Sequence, residues 1–158
     1  MEAISAGASV LAFAGFALEG TKFLYKAASG FKHAPQEVGA LVSTVGKLQN
    51  TLAQICVSRA LSEPDVDTQH IRDLLDTCNR DIANFGQDLR RIQSKSAESA
   101  LLQTWKKLKA TLSEDRLIRM RSTLDHHCAV LQLEFTRLQR YGIRGYLAGS
   151  FVRLSNAH

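Results

Sequence analysis

The sequence predicts an all-α protein, an antiparallel helical bundle of four long helices plus a short helix. Only two prolines, Pro35 and Pro64, occur among its 158 residues. Leu, Ala, Gln, Lys and Arg, which are good helix formers, dominate the rest. Apolar residues recur at steps of three and four along most of the chain, as in amphipathic helices. With 45% hydrophobic and 22% charged residues, the composition is that of one globular domain.

The first predicted helix runs from about residue 2 to residue 29 and stops at Gly30. It opens with an uncharged run, residues 3–18, that contains six alanines, two glycines and two serines. A secretion signal is not expected, because no base precedes the run and the first one is Lys22. A constitutive membrane span needs about 20 predominantly apolar residues, and this run is shorter. Two interpretations remain, a helix buried in the bundle and a helix that leaves the bundle to enter a bilayer.

The second and third helices follow from turn signals and apolar spacing. Pro35 suits the first turn of the second helix, which continues as a clean apolar stripe. The loop SEPDVDT ends that stripe. Asp67 or Thr68 can then cap the third helix, predicted over about residues 68–93.

The last part of the chain carries the short helix and the fourth long one. The stretch QSKSAES breaks the pattern, and a short amphipathic piece around Trp105 follows it. Ser113 precedes two acidic residues, which favours a helix start. The long helix is predicted over about residues 114–141 and to end at Gly142. The tail, residues 142–158, is either a short extra helix or a linker toward a domain outside this chain.

The charges are distributed unevenly along the chain, although the net charge is only +5. Residues 63–88 hold seven acids and two bases, whereas residues 90–121 hold nine bases and three acids. Such an asymmetry can serve packing between helices, self-association or attraction to an anionic lipid surface. Nucleic-acid binding would require more aromatic residues among the bases, and no nucleic-acid partner is predicted.

No motif in the sequence reaches the level of an active-site signature. The stretch Asp125-His126-His127-Cys128 attracts attention, but adjacent helical residues point about 100° apart and cannot converge on one metal. We expect Cys128 to face the core and the two histidines to lie near the surface. Cys56 and Cys78 are also expected to be small buried hydrophobes. The sequence predicts no catalytic residue, metal or cofactor, and the chain is not expected to be an enzyme.

Three long stretches together carry a family resemblance. They are MEAISAGASVLAFAGFALEGTKFLYKAASGFKHAPQEVGALVSTVGKLQNTL at the start, IRDLLDTCNRDIANFGQDLRRI in the middle, and TWKKLKATLSEDRLIRMRSTLDHHCAVLQL toward the end. In order and spacing they resemble the fungal N-terminal domain of STAND proteins, the HeLo-like group. The resemblance covers most of residues 1–140. It implies a HeLo-like helical bundle over residues 1–141, with residues 1–23 as a membrane-active first helix.

The resemblance also implies a function. Such domains are fused to a nucleotide-binding oligomerisation module in NLR-like immune receptors of fungi, and some cause programmed cell death in heterokaryon incompatibility. The expected function is therefore that of an N-terminal effector domain that oligomerises and targets membranes through its first helix. The expected partners are copies of itself, an anionic membrane surface and a nucleotide-binding oligomerisation module in the same or a partner chain. The expected location is the cytoplasm at rest and the plasma membrane on activation.

Two sets of residues are candidates for this membrane action. The first set is the apolar surface of the first helix, and the second is a basic patch that could face lipid. An alternative hypothesis is a helical interaction module that is not lytic, stays folded and relays oligomerisation signals. The members of the apolar set are Ile4, Val10, Leu11, Phe13, Phe16, Leu18 and Phe23, and those of the basic set are Lys106, Lys107, Lys109, Arg116 and Arg119.

Overall fold

The computed structural model describes residues 6–30, 36–62, 67–94 and 113–155, and every long element in these ranges is an α-helix. The all-α prediction is therefore confirmed. The predicted short helix around Trp105 lies outside the described residues. The helices are α1 (Ala6–Ser29), α2 (Gln36–Cys56), α3 (Gln69–Ser94) and α4 (Glu114–Ser155), with a short 3₁₀ turn at Ala60–Ser62.

The four helices occupy the corners of a square. α1 contacts α2 and α3, and α4 contacts the same two helices, so α1 and α4 lie diagonally opposite each other. The 3₁₀ turn contacts both α1 and α4. It therefore crosses one end of the bundle on the way from α2 to α3.

The contacts also fix the directions of the helices. The hairpin partners α1 and α2 are antiparallel, and so are α3 and α4. By contrast, α1 and α3 run parallel, because Asn79 donates to the Phe13 carbonyl and Gly86 lies beside Phe23 further along both helices. The neighbours α2 and α4 are parallel as well. The bundle thus combines two antiparallel and two parallel contacts between adjacent helices.

The helix starts follow the predicted capping residues. The Asp67 carboxylate accepts a hydrogen bond from the amide of Gln69 at 3.0 Å, and the Thr68 carbonyl accepts the first bond of α3. At α4, the Ser113 hydroxyl accepts from the amide of Arg116 at 3.3 Å. Each of these bonds satisfies a backbone donor that has no partner within its own helix.

A core of aliphatic side chains fills the space between the helices. The large, fully buried members come mainly from α2, α3 and α4, whereas α1 contributes four buried alanines and only two larger hydrophobes. The small residues let α1 approach its neighbours closely. The fully buried large side chains are Leu24, Leu48, Leu52, Ile55, Leu61, Ile71, Leu75, Leu89 and Met120.

The end of α4 differs from the prediction, because the helix does not stop at Gly142. It continues without interruption to Ser155, and no proline follows Gly142 to break it. A glycine inside a helix costs about 1 kcal/mol relative to alanine, which a long helix tolerates. α4 therefore has 42 residues, about 63 Å at a rise of about 1.5 Å per residue.

This length carries α4 beyond the other described helices. Gly142 lies level with the 3₁₀ turn, since a Cβ added to it would be 3.5 Å from the Cβ of Ala60. α2 has ended at Cys56 and α3 begins at Gln69, near the same end. The final 13 residues of α4 therefore extend about 20 Å past this level, at about 1.5 Å per residue.

Candidate functional site

The residues proposed for the membrane-active helix do not form a free apolar face in this fold. Val10 is completely buried, and four others are half-buried and pack against the core. Phe16 alone among the described members is exposed, with 74% of its surface accessible. Ile4 lies outside the described residues. The half-buried members are Leu11, Phe13, Leu18 and Phe23.

The described part of the basic patch has a structural role. Arg116 donates from Nε and Nη2 to Oδ2 of Asp88, the Nε distance being 3.1 Å. The Asp88 side chain is only 15% exposed, and this ion pair links α4 to α3. Arg119 is exposed. Lys106, Lys107 and Lys109 lie outside the described residues.

The apolar start of α1 and the described bases lie at opposite ends of the bundle. Arg116 contacts Asp88, which follows Gly86 by two residues, and Gly86 lies beside Phe23 in the second half of α1. Val10 is 13 residues before Phe23, a separation of about 20 Å along the helix. The structure therefore does not combine these two candidate sets into one surface.

A cross-helix pair between a histidine and a carboxylate lies at the middle of the α3–α4 interface. His127 Nε2 lies 2.7 Å from Oδ2 of Asp81, and the histidine is 4% exposed. The prediction that both histidines lie near the surface is therefore wrong for His127, while His126 is exposed. The sequence carried the signal, because position 127 lies three residues after Leu124 and four before Leu131, both on the buried face.

A solvent-open groove of about 450 Å³ lies beside this pair, between α3 and α4. The two histidine rings are 6.1 Å apart and tilted by 53°. Among the described residues, no group of three or more His, Cys, Asp or Glu side chains is placed to hold a metal ion. Six of the eight lining residues have polar side chains, and the groove is formed by Leu74, Thr77, Asp81, Ser122, Thr123, His126, His127 and Val130.

A second polar interface holds α4 to α2. Thr44 donates to the Asp125 carboxylate at 3.2 Å, and Gln132 donates to the Thr51 hydroxyl at 3.0 Å. The Thr51 hydroxyl also lies 3.5 Å from the Cys128 thiol. Because these contacts and those to α3 lie on opposite flanks, α4 is held from both sides by side-chain hydrogen bonds.

A buried acid on α4 was not anticipated from the sequence. Glu134 is 7% exposed, and Arg137 donates to both of its carboxylate oxygens at 2.9 and 2.5 Å. This hydrogen bonding raises the pKa of Arg137. The guanidinium also lies 5.4 Å from the ring centre of Tyr141, within the range of a cation–π contact. The i,i+3 spacing of Glu134 and Arg137 was the available signal.

The cysteines behave mostly as expected, since Cys78 and Cys128 are buried and Cys56 is half-buried. Burial raises the pKa of the Cys78 thiol to about 12, with a further contribution from the Asp81 carboxylate. Burial likewise raises the pKa of Cys56, opposed by Lys22. The Cys78 and Cys56 thiols are therefore poor nucleophiles near neutral pH.

The pKa of Cys78 leads to a prediction for alkaline pH. Because the folded-state value lies above the ordinary 9.0, the neutral thiol stabilises the fold. That contribution is complete below about pH 9 and is lost as the pH rises toward 12. We expect urea unfolding at pH 8 and pH 10.5 to show a larger loss of stability for the wild type than for Cys78→Ala. Equal losses would contradict this assignment.

Within the described residues, no helix is both long enough and apolar enough to cross a membrane.

The fold and these surfaces define an all-α bundle domain whose distinctive features are a small-residue first helix and a fourth helix held by polar contacts. The family described as "Pigment biosynthesis cluster protein PigL N-terminal" matches residues 1–139. The chain therefore belongs to this family of N-terminal domains. No curated protein and no solved structure matches the chain.

Proposed function

We propose that this chain is the N-terminal signalling domain of a fungal NLR-like receptor of the STAND class, HeLo-like in type, and that oligomerisation activates it. The position of α1 carries this proposal. α1 contacts both α2 and α3, and four of its alanines are buried. A change in either neighbour must therefore repack α1, which makes the bundle suited to converting a change of contacts into a signal.

The geometry best supports an output in which the bundle stays folded and relays oligomerisation to a partner. α1 is attached by close backbone approach, because a Cβ on Gly20 would lie 2.5 Å from Cγ2 of Ile82. Phe23 is also covered, since Arg90 lies 4.5 Å from its ring centre and Gly86 accommodates its edge. Removing α1 would expose the matching surfaces of α2 and α3 as well as its own.

One observation favours a second output, in which α1 leaves the bundle, acts on the plasma membrane and causes cell death. Four of the six fully buried hydrophobes of α1 are alanines, namely Ala14, Ala17, Ala27 and Ala28. An alanine side chain removes little apolar area from water, so these four positions add little to the apolar cost of releasing α1. The exposed Phe16 would already be available for a first contact with lipid.

A disulfide between α1 and α3 separates the two outputs. A Cβ on Gly20 would lie 3.7 Å from the Ile82 Cβ, close to the mean Cβ separation of a disulfide. The double variant Gly20→Cys/Ile82→Cys should therefore lock α1 when oxidised and free it when reduced. It is best made in a Cys56→Ala background, because Cys56 is the half-buried native thiol.

The double variant is clustered by a trimeric coiled coil fused after His158. The coiled coil alone, without this chain, is the control. Two quantities are measured in the presence of vesicles of phosphatidylcholine, with and without phosphatidylserine. The first is the recruitment of free labelled chain to the clustered protein, and the second is the leakage of dye from the vesicles. We expect recruitment in both redox states and no leakage. Leakage seen only after reduction would establish the membrane output instead. Absence of both recruitment and leakage would overturn the signalling proposal.

The exposed position Ala12 supplies a matched control for the membrane arm. Ala12→Asp leaves the buried side of α1 unchanged but places a charge on the helix that would have to enter lipid. If leakage occurs, Ala12→Asp should reduce it at least tenfold while circular dichroism remains that of the wild type. If the bundle instead stays folded and relays oligomerisation, Ala12→Asp should leave the recruitment of free labelled chain unchanged.

A further inference from the structure

The interface between α3 and α4 is the least extensive of the four contacts between adjacent long helices in the described residues. The groove beside Asp81 and His127 reaches into it from solvent. Solvent therefore has access to the space between these two helices, whereas a glycine of α1 lies directly against Ile82 of α3.

Ionic and polar side chains supply the specific links across this interface. Asp81 pairs with His127 near the middle, and Asp88 pairs with Arg116 near the start of α4. The Asp81 side chain is 32% exposed and that of Arg116 is 55% exposed. Their partners His127 and Asp88 are largely buried, with side chains 6% and 15% exposed. When the helices separate, such polar groups exchange a protein partner for water, so their separation costs less than that of buried apolar surfaces.

The attachment of α1 has the opposite character. Ala14 and Ala17 are completely buried, and Thr21 satisfies its hydroxyl within the helix by donating to the Leu18 carbonyl at 2.7 Å. Its links to α3 include close apolar contacts, the bond from Asn79 to the Phe13 carbonyl, and the Arg90 guanidinium over the Phe23 ring. Local opening at α1 must therefore break tight packing.

We infer that the folded bundle opens first along the α3–α4 interface while α1 stays packed against α2 and α3. The opening exposes the groove side of both helices around Asp81 and His127. This inference concerns the isolated chain and stands independently of the receptor function proposed above.

Hydrogen–deuterium exchange on the 158-residue chain tests the order of opening. The peptides compared are those from residues 10–24 in α1, 71–82 in α3 and 120–131 in α4. We expect exchange in the α3 and α4 peptides to be faster than in the α1 peptide. Asp81→Asn should accelerate hydrogen exchange in the α3 and α4 peptides about tenfold and change exchange in the α1 peptide less than twofold. Asp88→Asn, which removes the other ion pair of the interface, is a second variant should Asp81→Asn fail to fold.

Asp76→Asn is the matched control, because Asp76 pairs with Arg80 on the exposed surface of the same helix. It should leave all three peptides unchanged. The inference is overturned if α1 exchanges first in the wild type, or if the interface variants accelerate all three peptides equally. The first result would identify α1 as the mobile helix, and the second would show that only global unfolding exposes the interface.

Discussion

Replacing Gly20 with alanine is expected to destabilise the bundle by about 1–3 kcal/mol, the range seen when a packed core is overfilled. The new methyl group would lie 2.5 Å from Cγ2 of Ile82. Cγ2 of Ile82 is attached to the branched Cβ of a buried residue and cannot rotate away freely. The gain of about 1 kcal/mol from replacing a helical glycine offsets only part of the strain.

Gly15→Ala provides the matched control on the same helix. No atom outside the local helix backbone lies within 4 Å of a Cβ at Gly15. This substitution should therefore stabilise the protein by about 0.5–1 kcal/mol through helix propensity alone. Urea unfolding followed by circular dichroism measures both changes, and the two are expected to have opposite signs.

A double-mutant cycle identifies the contact responsible. Ile82→Ala removes the obstructing methyl group, so Gly20→Ala should cost at least 1 kcal/mol less in the Ile82→Ala background than in the wild type. If the cost is the same in both backgrounds, the close approach of α1 to α3 is not at Ile82. If Gly20→Ala is stabilising, the close approach is absent.

A charge at Ala17 is expected to have a larger effect, a loss of at least 3 kcal/mol. Ala17 is completely buried in α1. A carboxylate there loses its hydration, and burial of such a group without a partner is among the most costly single changes. We expect Ala17→Asp to lose its cooperative thermal transition, measured by circular dichroism, or to accumulate in the insoluble fraction on expression.

Ala12→Asp makes the same substitution five residues earlier, on the exposed side of α1. Its stability should change by less than about 0.5 kcal/mol, as for most surface substitutions. The contrast between the two alanines tests which side of α1 faces the core. Similar losses at Ala12 and Ala17 would mean that α1 is covered on both sides by other parts of the chain.

The helices themselves were largely predictable, because their determinants are local. Ser113 and Asp67 act at helix starts through short-range hydrogen bonds, and Gly30 ends α1 as expected. The end of α4 was mispredicted because a glycine terminates a helix only when its surroundings favour the termination. At Gly142 the helical conformation continues beside Ala60.

The arrangement of the helices was less accessible from sequence. Periodicity shows which side of a helix is apolar but not which neighbour covers it. The parallel contact of α1 with α3, and the meeting of Gly20 with Ile82, depend on residues far apart in the chain. His127 was misplaced for a related reason. A histidine on the apolar side is buried only if a partner such as Asp81 is supplied by another helix.

The uninterrupted extension of α4 makes the joint at this end of the bundle stiff in torsion. Successive residues of a helix are rotated by about 100°, so adding or deleting one residue after Gly142 turns whatever is attached beyond Ser155 through that angle. The attached group therefore keeps a fixed rotational orientation about the axis of α4, relative to the groove between α3 and α4. Fusions joined by a continuous helix will therefore respond to linker length periodically, whereas fusions joined by a flexible linker will not.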